Sequence, residues 1–449
     1  MTHRFRRTSV VLLAAAFALS GCSGGGSSGA SSASGAAGGA ASADSNTKVN
    51  LTMWAWAPNI EQVVALWNKS HPNIQVTVSR QNAGDPAVTK LLTAIKAGKG
   101  APDLMQAEYQ AIPNMVASNA LADISGLIPA DTKSHFNAGT WNAVTLGGSA
   151  VYAVPQDTGP MQFYYRADIF KKYGLSAPKT WNDYANDAKI IHEKNPKMYL
   201  GTFSSADPGE FAGLAQQAGA SWWGVSGQSW KVNIDDPATQ KVAQFWGGLV
   251  QQGVIDNQPQ YTPAWNKGLN DGEQVGWVSA VWAPGVLAGN AGSTKGKWAM
   301  APLPQWNAGE NKTGNWGGSS TAVTSQSAHK AAAAQFAVWI NTNPEAVKAL
   351  ATISNIYPAD TVSSGAALAT PPAFFANQPD FWSLTAKNAQ GVQPFTYGPN
   401  VNVTYSTFND AFAAAANSRK ASDFLKALQT LQSTTVADLK KSGFSVAGS

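Results

Sequence analysis

The stretch VNLTMWAWAPNIEQVVALWNKSHPNIQVTVSR, residues 49–80, contains two different hydrophobic periodicities. Val49–Trp56 alternates apolar with polar positions and is rich in β-forming residues, which predicts a strand. Ile74–Val78 alternates in the same way. Between them, apolar residues recur at the spacing of one helix face: Ile60, Val63, Val64 and Trp67. The stretch therefore predicts a strand, a helix and a second strand.

A second unit of the same kind follows. Its apolar residues again recur at helical spacing, namely Val88, Leu91, Leu92 and Ile95. Gly98 is a typical helix end, and Pro102–Met105 leads into another short strand. Repeated βαβ units predict a parallel sheet with right-handed crossovers. The sequence therefore indicates an α/β fold.

Ligands of such sheets bind beyond the carboxyl ends of the strands. Trp56, Glu108 and Tyr109 each come just after a predicted strand, so we expect them near a ligand. For Trp56 the alternative is a core or edge aromatic, because bulky aromatic residues are common in strands.

The N-terminus has the features of a bacterial lipoprotein signal. Three arginines precede an uncharged apolar run, Val10–Leu19, and Leu19-Ser20-Gly21-Cys22 closes it. Residues 1–22 are therefore predicted to be a signal in which Cys22 becomes lipidated; the alternative is an ordinary secretory signal with a chance cysteine. The apolar run is too short to cross a membrane, and nothing later in the sequence is long enough. We expect the mature chain to be tethered to the outer face of the cell membrane.

Composition limits the classes of partner. Residues 23–43 are almost wholly Gly, Ser and Ala, which predicts a flexible linker, and Cys22 is the only cysteine, so no disulfide is expected. The formal charge of +5 includes three signal arginines and falls to +2 without them, which gives no indication of nucleic-acid binding. Tryptophan, with 17 residues, outnumbers tyrosine, with 11. Its flat apolar face and single N–H suit a surface that holds something both apolar and hydroxylated.

Three consecutive motifs resemble the signature of the carbohydrate-binding proteins of ABC importers. They are VYAVPQD (151–157), QFYYRADIF (162–170) and PKTWNDY (178–184). Further segments extend the resemblance over most of the mature chain: Ala101–Leu104, Gly272–Pro284, Pro302–Pro304, Gly317–Val323 and Ala331–Asn343. Two positions depart from the pattern, since Arg166 replaces the usual Asn and Gly276–Val278 replaces a small-Ala-Met run. Neither position normally meets the ligand. The chain thus resembles the family 1 extracellular solute-binding proteins, a family that includes maltose-binding protein.

This resemblance implies a two-lobed α/β fold, with a parallel or mixed sheet in each lobe and a hinge of crossing segments. The expected N-terminal lobe comprises residues 44–156 and 317–360, and the C-terminal lobe residues 157–316 and 361–449. It implies a monomer that closes over a carbohydrate, delivers it to the permease subunits of an ABC importer, and needs no cofactor or metal. The abundance of tryptophan favours a di- or oligosaccharide over a monosaccharide.

Sugar recognition needs aromatic faces for stacking and polar groups for hydroxyls. By position in the family pattern, Trp282 is expected to stack on the sugar. Trp316, beside the predicted hinge, and Trp222 with Trp223, in a glycine-bounded loop, are further candidates. Tyr405 lies in a segment that returns to the cleft in relatives. The alternative for each tryptophan is a place in the core.

Asp157, Glu108 and Glu210 are the expected hydroxyl acceptors. Each could instead be a solvated loop carboxylate or a helix cap. In particular, Asp207 and Glu210 have the spacing of an N-terminal capping box.

Two other classes share these features. A secreted glycoside hydrolase would place two carboxylates around the scissile bond, and the sequence does not exclude such a pair. No catalytic motif is present, however, and the five histidines are scattered without an HExxH arrangement. A cell-surface lectin that serves no importer is the third alternative. The resemblance favours a receptor without enzymatic activity.

Overall fold

The computed structural model describes residues 48–448. Cys22, the signal and the linker predicted for residues 23–43 lie outside the described residues. The chain first forms β1 (Val49–Ala55), α1 (Ile60–Ser70), β2 (Ile74–Arg80), α2 (Asp85–Lys96), β3 (Leu104–Glu108), α3 (Ile112–Ala117), α4 (Ala138–Thr145) and β4 (Ala153–Pro155). The strand and helix order predicted from residues 49–105 is therefore confirmed.

The middle of the chain builds a second group of elements. These are β5 (Met161–Arg166), α5 (Ala167–Tyr173), α6 (Trp181–Lys194), α7 (Pro208–Gln217), β6 (Trp223–Ser226), β7 (Ser229–Val232), α8 (Pro237–Gln252), α9 (Pro263–Asp271), β8 (Gly276–Ala280), α10 (Ala283–Asn290) and β9 (Trp298–Pro302). The chain ends with β10 (Ser319–Val323), α11 (Lys330–Thr342), α12 (Pro344–Thr352), α13 (Ser364–Ala367), α14 (Phe381–Ala389), α15 (Val401–Ser418) and α16 (Ala421–Lys441).

The first sheet has the strand order β2-β1-β3-β10-β4. β1 pairs in parallel with β2 and β3, as the βαβ pattern predicts, whereas β10 pairs antiparallel with β3 and β4. The sheet is therefore mixed, because a strand from late in the chain inserts between two early ones. Helix α1 covers this sheet with the apolar face that its spacing predicts, and the four residues of that face, Ile60, Val63, Val64 and Trp67, are all buried.

The second sheet has the order β8-β5-β9, with β5 antiparallel to both neighbours. A parallel bridge joins Tyr199 to Gln274 at its margin. Large aromatic rings fill the surrounding core. Trp181, for example, is buried and makes edge contacts of 5.5 Å with Tyr184 and 5.9 Å with Trp246 between ring centroids. Burial of such rings is the main source of stability for this half.

Three segments connect the two cores. The first core ends at Val154 and the second begins at Met161; the chain returns between Leu303 and Ala322. It leaves the first core for the last time after Ala359. The three predicted lobe boundaries fall in these crossing segments, and the exact boundaries remain a prediction.

Glycine is required where the crossing segments touch. A Cβ atom on Gly159 would lie 2.2 Å from the carbonyl oxygen of Trp316, and one on Gly314 would lie 1.9 Å from that of Gly213. Bridges between Asp157 and Pro358 and between Pro160 and Asn315 hold the segments side by side. A larger side chain at Gly159 would push two crossing segments apart, and one at Gly314 would push its segment away from α7.

Candidate functional site

Three predicted residues lie at the carboxyl ends of the first sheet. Trp56 follows β1, Glu108 ends β3, and Asp157 follows β4. The Gln106 side chain links these ends, because its Oε1 accepts hydrogen bonds from the backbone N–H groups of Trp56 and Ala57, both at 3.0 Å. The sheet thus places the three residues at one edge, as the carboxyl-end rule predicts.

Asp157 is buried and firmly held. Its Oδ1 accepts hydrogen bonds from the backbone N–H of Ser319 at 2.7 Å and from the Ser319 hydroxyl at 2.5 Å. The hydroxyl of Tyr109 donates to the Asp157 carbonyl at 2.9 Å. Burial raises the pKa of Asp157 to about 6, although the bonds from Ser319 oppose this rise. The carboxyl is therefore positioned by the antiparallel return of the chain through β10.

Glu108 is partly buried and surrounded by acids. Burial, followed by the proximity of Asp85 and Asp157, raises its pKa to about 7, while the hydrogen bond from Gln110 opposes the rise. The Gln110 amide donates to Glu108 Oε2 at 2.8 Å. Near neutral pH, this group is present in both the acid and the carboxylate form. It can therefore donate a hydrogen bond as well as accept one.

Residues of the second half meet this edge. Tyr405 on α15 is buried and hydrogen-bonded to Tyr397, and burial raises the pKa of both hydroxyls, with smaller contributions from Glu108. Asn114 on α3 also donates to the side-chain oxygen of Asn402 on α15 at 2.7 Å. The structure thus brings Tyr405 together with Glu108.

Trp282 and Trp316 form an aromatic pair. Their ring centroids are 4.9 Å apart at an interplanar angle of 76°, and Trp282 Nε1 donates to the Trp316 carbonyl at 2.9 Å. Trp277 packs edge-on against Trp282 at 5.8 Å. Trp282 and Trp316 are only half-buried, so part of each ring stays accessible. Gly209, at the start of α7, lies directly against Trp316.

Glu210 is buried on α7 and does not form the capping box. Asp207 stands at the N-cap position but makes no side-chain cap bond, so that alternative is not realised. Glu210 instead accepts a hydrogen bond from the Gln260 amide at 2.8 Å, and Gln260 Oε1 accepts from Trp277 Nε1 at 2.9 Å. Burial and then Asp207 raise the pKa of Glu210 well above its usual range. Glu210 is thus linked through Gln260 to Trp277, which packs against Trp282.

The sequence reasoning did not select Tyr261. Its backbone is left-handed, with φ 62°, which is uncommon for a bulky residue and typical of functional sites. The ring contacts Trp265 at 5.6 Å and Trp277 at 6.1 Å and is 41% exposed. Burial of its hydroxyl, followed by the nearby Asp207 and Glu210, raises its pKa. Tyr261 therefore extends the aromatic surface beside the two acids and directly precedes Thr262, the N-cap of α9.

The sequence predicts Asp207 only as a helix N-cap. Burial raises its pKa to about 6, and a hydrogen bond from Ser204 opposes the rise. Its Oδ2 is buried and has no partner within residues 48–448. An acceptor in that state is suited to a hydroxyl donor.

Trp222 and Trp223 do not join this group. Their relative exposures are 0% and 2%, and both pack in the second core. Trp222 Nε1 donates to the Thr239 hydroxyl at 3.1 Å, and the Trp223 indole presses against Gly398. Their expected place in the cleft is corrected accordingly: the two rings are enclosed by neighbouring helices, which leaves no face for a ligand.

A separate cavity of about 660 Å³ lies beside the crossing segments. It is bounded by Thr158, Gly317 and Tyr357 of those segments, by α4, and by the stretch after α14. Of the ten predicted ligand-binding residues, Tyr109 alone lines it. A second cavity, of about 10 Å³, adjoins Asp207 and Glu210 and has room for about one water molecule.

The arrangement combines half-buried indoles with carboxyl, amide and hydroxyl groups. Such a combination matches a ring whose faces are apolar and whose edges carry hydroxyls. Within residues 48–448, no group of three His, Cys, Asp or Glu side chains is placed to hold a metal ion. In the same part of the chain, no helix has the length and apolarity required to cross a membrane.

Comparisons with known proteins agree with this geometry. The family profile described as "Bacterial extracellular solute-binding protein" matches residues 55–347. The arabinooligosaccharide-binding protein of Halalkalibacterium halodurans is 25% identical over 332 residues, which cover 70% of this chain and 72% of that relative.

Two solved structures are also similar. One is the galacto-N-biose/lacto-N-biose I-binding protein of an ABC transporter from Bifidobacterium longum in complex with lacto-N-biose, with a TM-score of 0.80, 28% identity, and coverage of 90% of this chain and 100% of that chain. The other is an ABC transporter associated binding protein from B. animalis subsp. lactis in complex with β-1,6-galactobiose. Its TM-score is 0.79 and its identity 27%, with 89% of this chain and 100% of that chain covered.

Proposed function

This chain belongs to the family of bacterial extracellular solute-binding proteins, and we propose that it binds a di- or oligosaccharide between its lobes and delivers it to an ABC importer. It is a binding protein and not an enzyme. The observation that carries the proposal is the half-buried Trp282–Trp316 pair, which packs against Gly209 at the start of α7 and is linked through Trp277 and Gln260 to the Glu210 carboxyl. The sugars bound by similar proteins support a carbohydrate ligand.

In this proposal the indoles stack on the apolar faces of the sugar rings. Asp157, Asp207 and Glu108 take hydroxyl hydrogen bonds, with Tyr405 and Tyr261 at the two ends of the site. Because these residues come from both lobes, a ligand that contacts all of them favours the conformation in which the lobes meet. A permease can then distinguish the loaded from the empty receptor.

Calorimetry with a panel of neutral oligosaccharides tests the site. Trp282→Ala removes a stacking face and should weaken binding by about 2 kcal/mol, or roughly thirtyfold. Trp222→Phe is the matched control, since it alters a tryptophan of the core and should leave affinity unchanged. If Trp282→Ala binds the best sugar as tightly as the wild type, the aromatic pair is not the site.

We further propose that the receptor is held on the outer face of the membrane through Cys22, the only cysteine available for acylation. Cys22→Ser should then appear in the soluble fraction and bind sugar like the wild type. A Cys22→Ser protein that stays with membranes after washing with high salt would contradict the anchor.

A further inference from the structure

The proposed site is lined by acids from both halves of the chain. Asp85 begins α2, Glu108 ends β3 and Asp157 follows β4; Asp207 directly precedes α7, and Glu210 lies in its first turn. They act on one another, because Asp85 and Asp157 both raise the pKa of Glu108, and Asp207 raises that of Glu210. Burial is the larger cause in both cases. The site therefore has a strongly acidic character.

Within residues 48–448, no lysine, arginine or histidine forms an ion pair with any of these five acids. The cations that lie near the first sheet's edge are already engaged. The Arg80 guanidinium is bound to Glu61 and to the Trp56 carbonyl. The Lys90 ammonium lies 4.3 Å from the centre of the Trp54 ring and donates to Gln81. Each would have to leave these partners to neutralise a ligand.

The hydrogen-bond partners of the acids are all uncharged. Gln110 donates a hydrogen bond to Glu108, Ser319 donates to Asp157, and Gln260 donates to Glu210. Amides and hydroxyls of this kind match sugar hydroxyls, whereas carboxylate, sulfate and phosphate groups are usually met by arginine or lysine.

Helix N-termini are the other common anion sites, because their free N–H groups and dipole attract negative charge. Four helices begin beside residues of the proposed site: α2, α7, α9 and α10. Two of them already carry an acid of this chain in the first turn, Asp85 on α2 and Glu210 on α7, whereas α9 and α10 carry none. At α2 and α7 an incoming anion would compete with these fixed carboxyl groups for the same positive potential.

From this charge distribution we infer that the ligand is an uncharged oligosaccharide and that the site rejects sugars bearing a carboxylate, sulfate or phosphate group. The inference rests on the proposed function and names the substrate class of that site. An anionic sugar would lose its hydration and face like charges without a counterion. It could bind only by forcing neighbouring acids into their protonated form, which consumes binding free energy.

Ligands of similar size that differ in charge test this inference. β-1,6-Galactobiose and lacto-N-biose are compared with the same disaccharides oxidised to the uronate at C6 of the terminal galactose, and with their 6-amino-6-deoxy analogues. Calorimetry at pH 7.5 on the full mature chain should show binding of a neutral sugar and at least roughly thirtyfold weaker binding of its uronate. The amine analogue, of the same size, should bind no more weakly than the uronate.

Variants show whether the acids cause the discrimination. In Glu108→Gln and Asp207→Asn the ratio of neutral to uronate affinity should fall, because one repelling group is removed from each. Glu193→Gln, an exposed acid on α6, is the matched control and should leave the ratio unchanged.

The outcomes separate this inference from the proposed function. A uronate that binds as tightly as its neutral partner, or a ratio that is unchanged in both carboxyl variants, overturns the inference while carbohydrate binding stands. If no neutral or acidic sugar in the panel binds, both the proposed function and the inference are wrong.

Discussion

Replacing Glu108 by glutamine should stabilise the unliganded protein at alkaline pH and have much less effect at acid pH. Its pKa rises from an ordinary value of 4.5 to about 7, through burial and then through Asp85 and Asp157. At 1.36 kcal/mol per pKa unit, ionising this group in the folded protein costs up to about 3 kcal/mol. Part of this cost is relieved by solvent because Glu108 is partly exposed, so we expect about 1–3 kcal/mol.

The direction follows from proton binding. Between pH 4.5 and 7 the folded protein binds more protons at Glu108 than the unfolded chain does, so stability falls as the pH rises through this window. Glutamine does not titrate and avoids this loss. Urea denaturation of wild type and Glu108→Gln at pH 5 and pH 8 measures the difference directly.

Glu61 provides a control of opposite sign. Slight burial raises its pKa, but a backbone hydrogen bond and Arg80 outweigh this and lower it overall. Glu61→Gln should therefore be destabilising to a similar extent at pH 8 and pH 5, and this loss should shrink only as the pH falls below about 4.5. If Glu108→Gln gains no more stability at pH 8 than at pH 5, Glu108 is not desolvated and the electrostatic description of the site is wrong.

Three further predictions concern the hinge and the cores. Gly159→Ala places a methyl group against the Trp316 carbonyl and should cost about 1–3 kcal/mol of stability and weaken sugar binding. Its control is Gly289→Ala, in open space on α10, which should be neutral or stabilising by up to about 1 kcal/mol. Thermal melts measure the stability of both variants, and calorimetry measures their sugar binding. Trp222→Ala should lower the free energy of unfolding by about 3–5 kcal/mol, and a small loss would mean that the ring is not in the core. Saturating sugar should reduce the radius of gyration in small-angle scattering, and an unchanged value favours a rigid lectin.

The local hydrophobic pattern predicts the strands and helices at the start of this fold well. The alternation in residues 49–56 and 74–78 and the helix face between them depend on neighbouring residues, and each element appears where the periodicity puts it. The family and the two-lobed α/β fold, inferred from the motifs between Val151 and Tyr184, are likewise confirmed. The placement of Trp56 and Glu108 at the ends of β1 and β3 follows from the rule that ligands bind beyond the carboxyl ends of strands.

Tertiary contacts decide what the pattern leaves open. Nothing near β3 indicates that β10, more than 200 residues later, will pair beside it and bring Ser319 to Asp157. The adjacent tryptophans 222 and 223 have the composition of a sugar platform, yet Thr239 on α8 and Gly398 enclose them. Tyr261 is not predicted from the sequence, because its left-handed backbone and its proximity to Asp207 have no local sequence signature.

The acids of the site explain how an empty receptor can differ in energy from a loaded one. Burial, and then the proximity of Asp85 and Asp157, raises the pKa of Glu108, so at neutral pH its ionised form carries an electrostatic cost in the unliganded protein. The buried, unpartnered Oδ2 of Asp207 adds a second cost of the same kind. A sugar supplies hydroxyl donors to such acceptors without adding charge. A sugar in the proposed site would therefore relieve one cost in each half of the chain, and this differential interaction would favour the loaded over the empty protein.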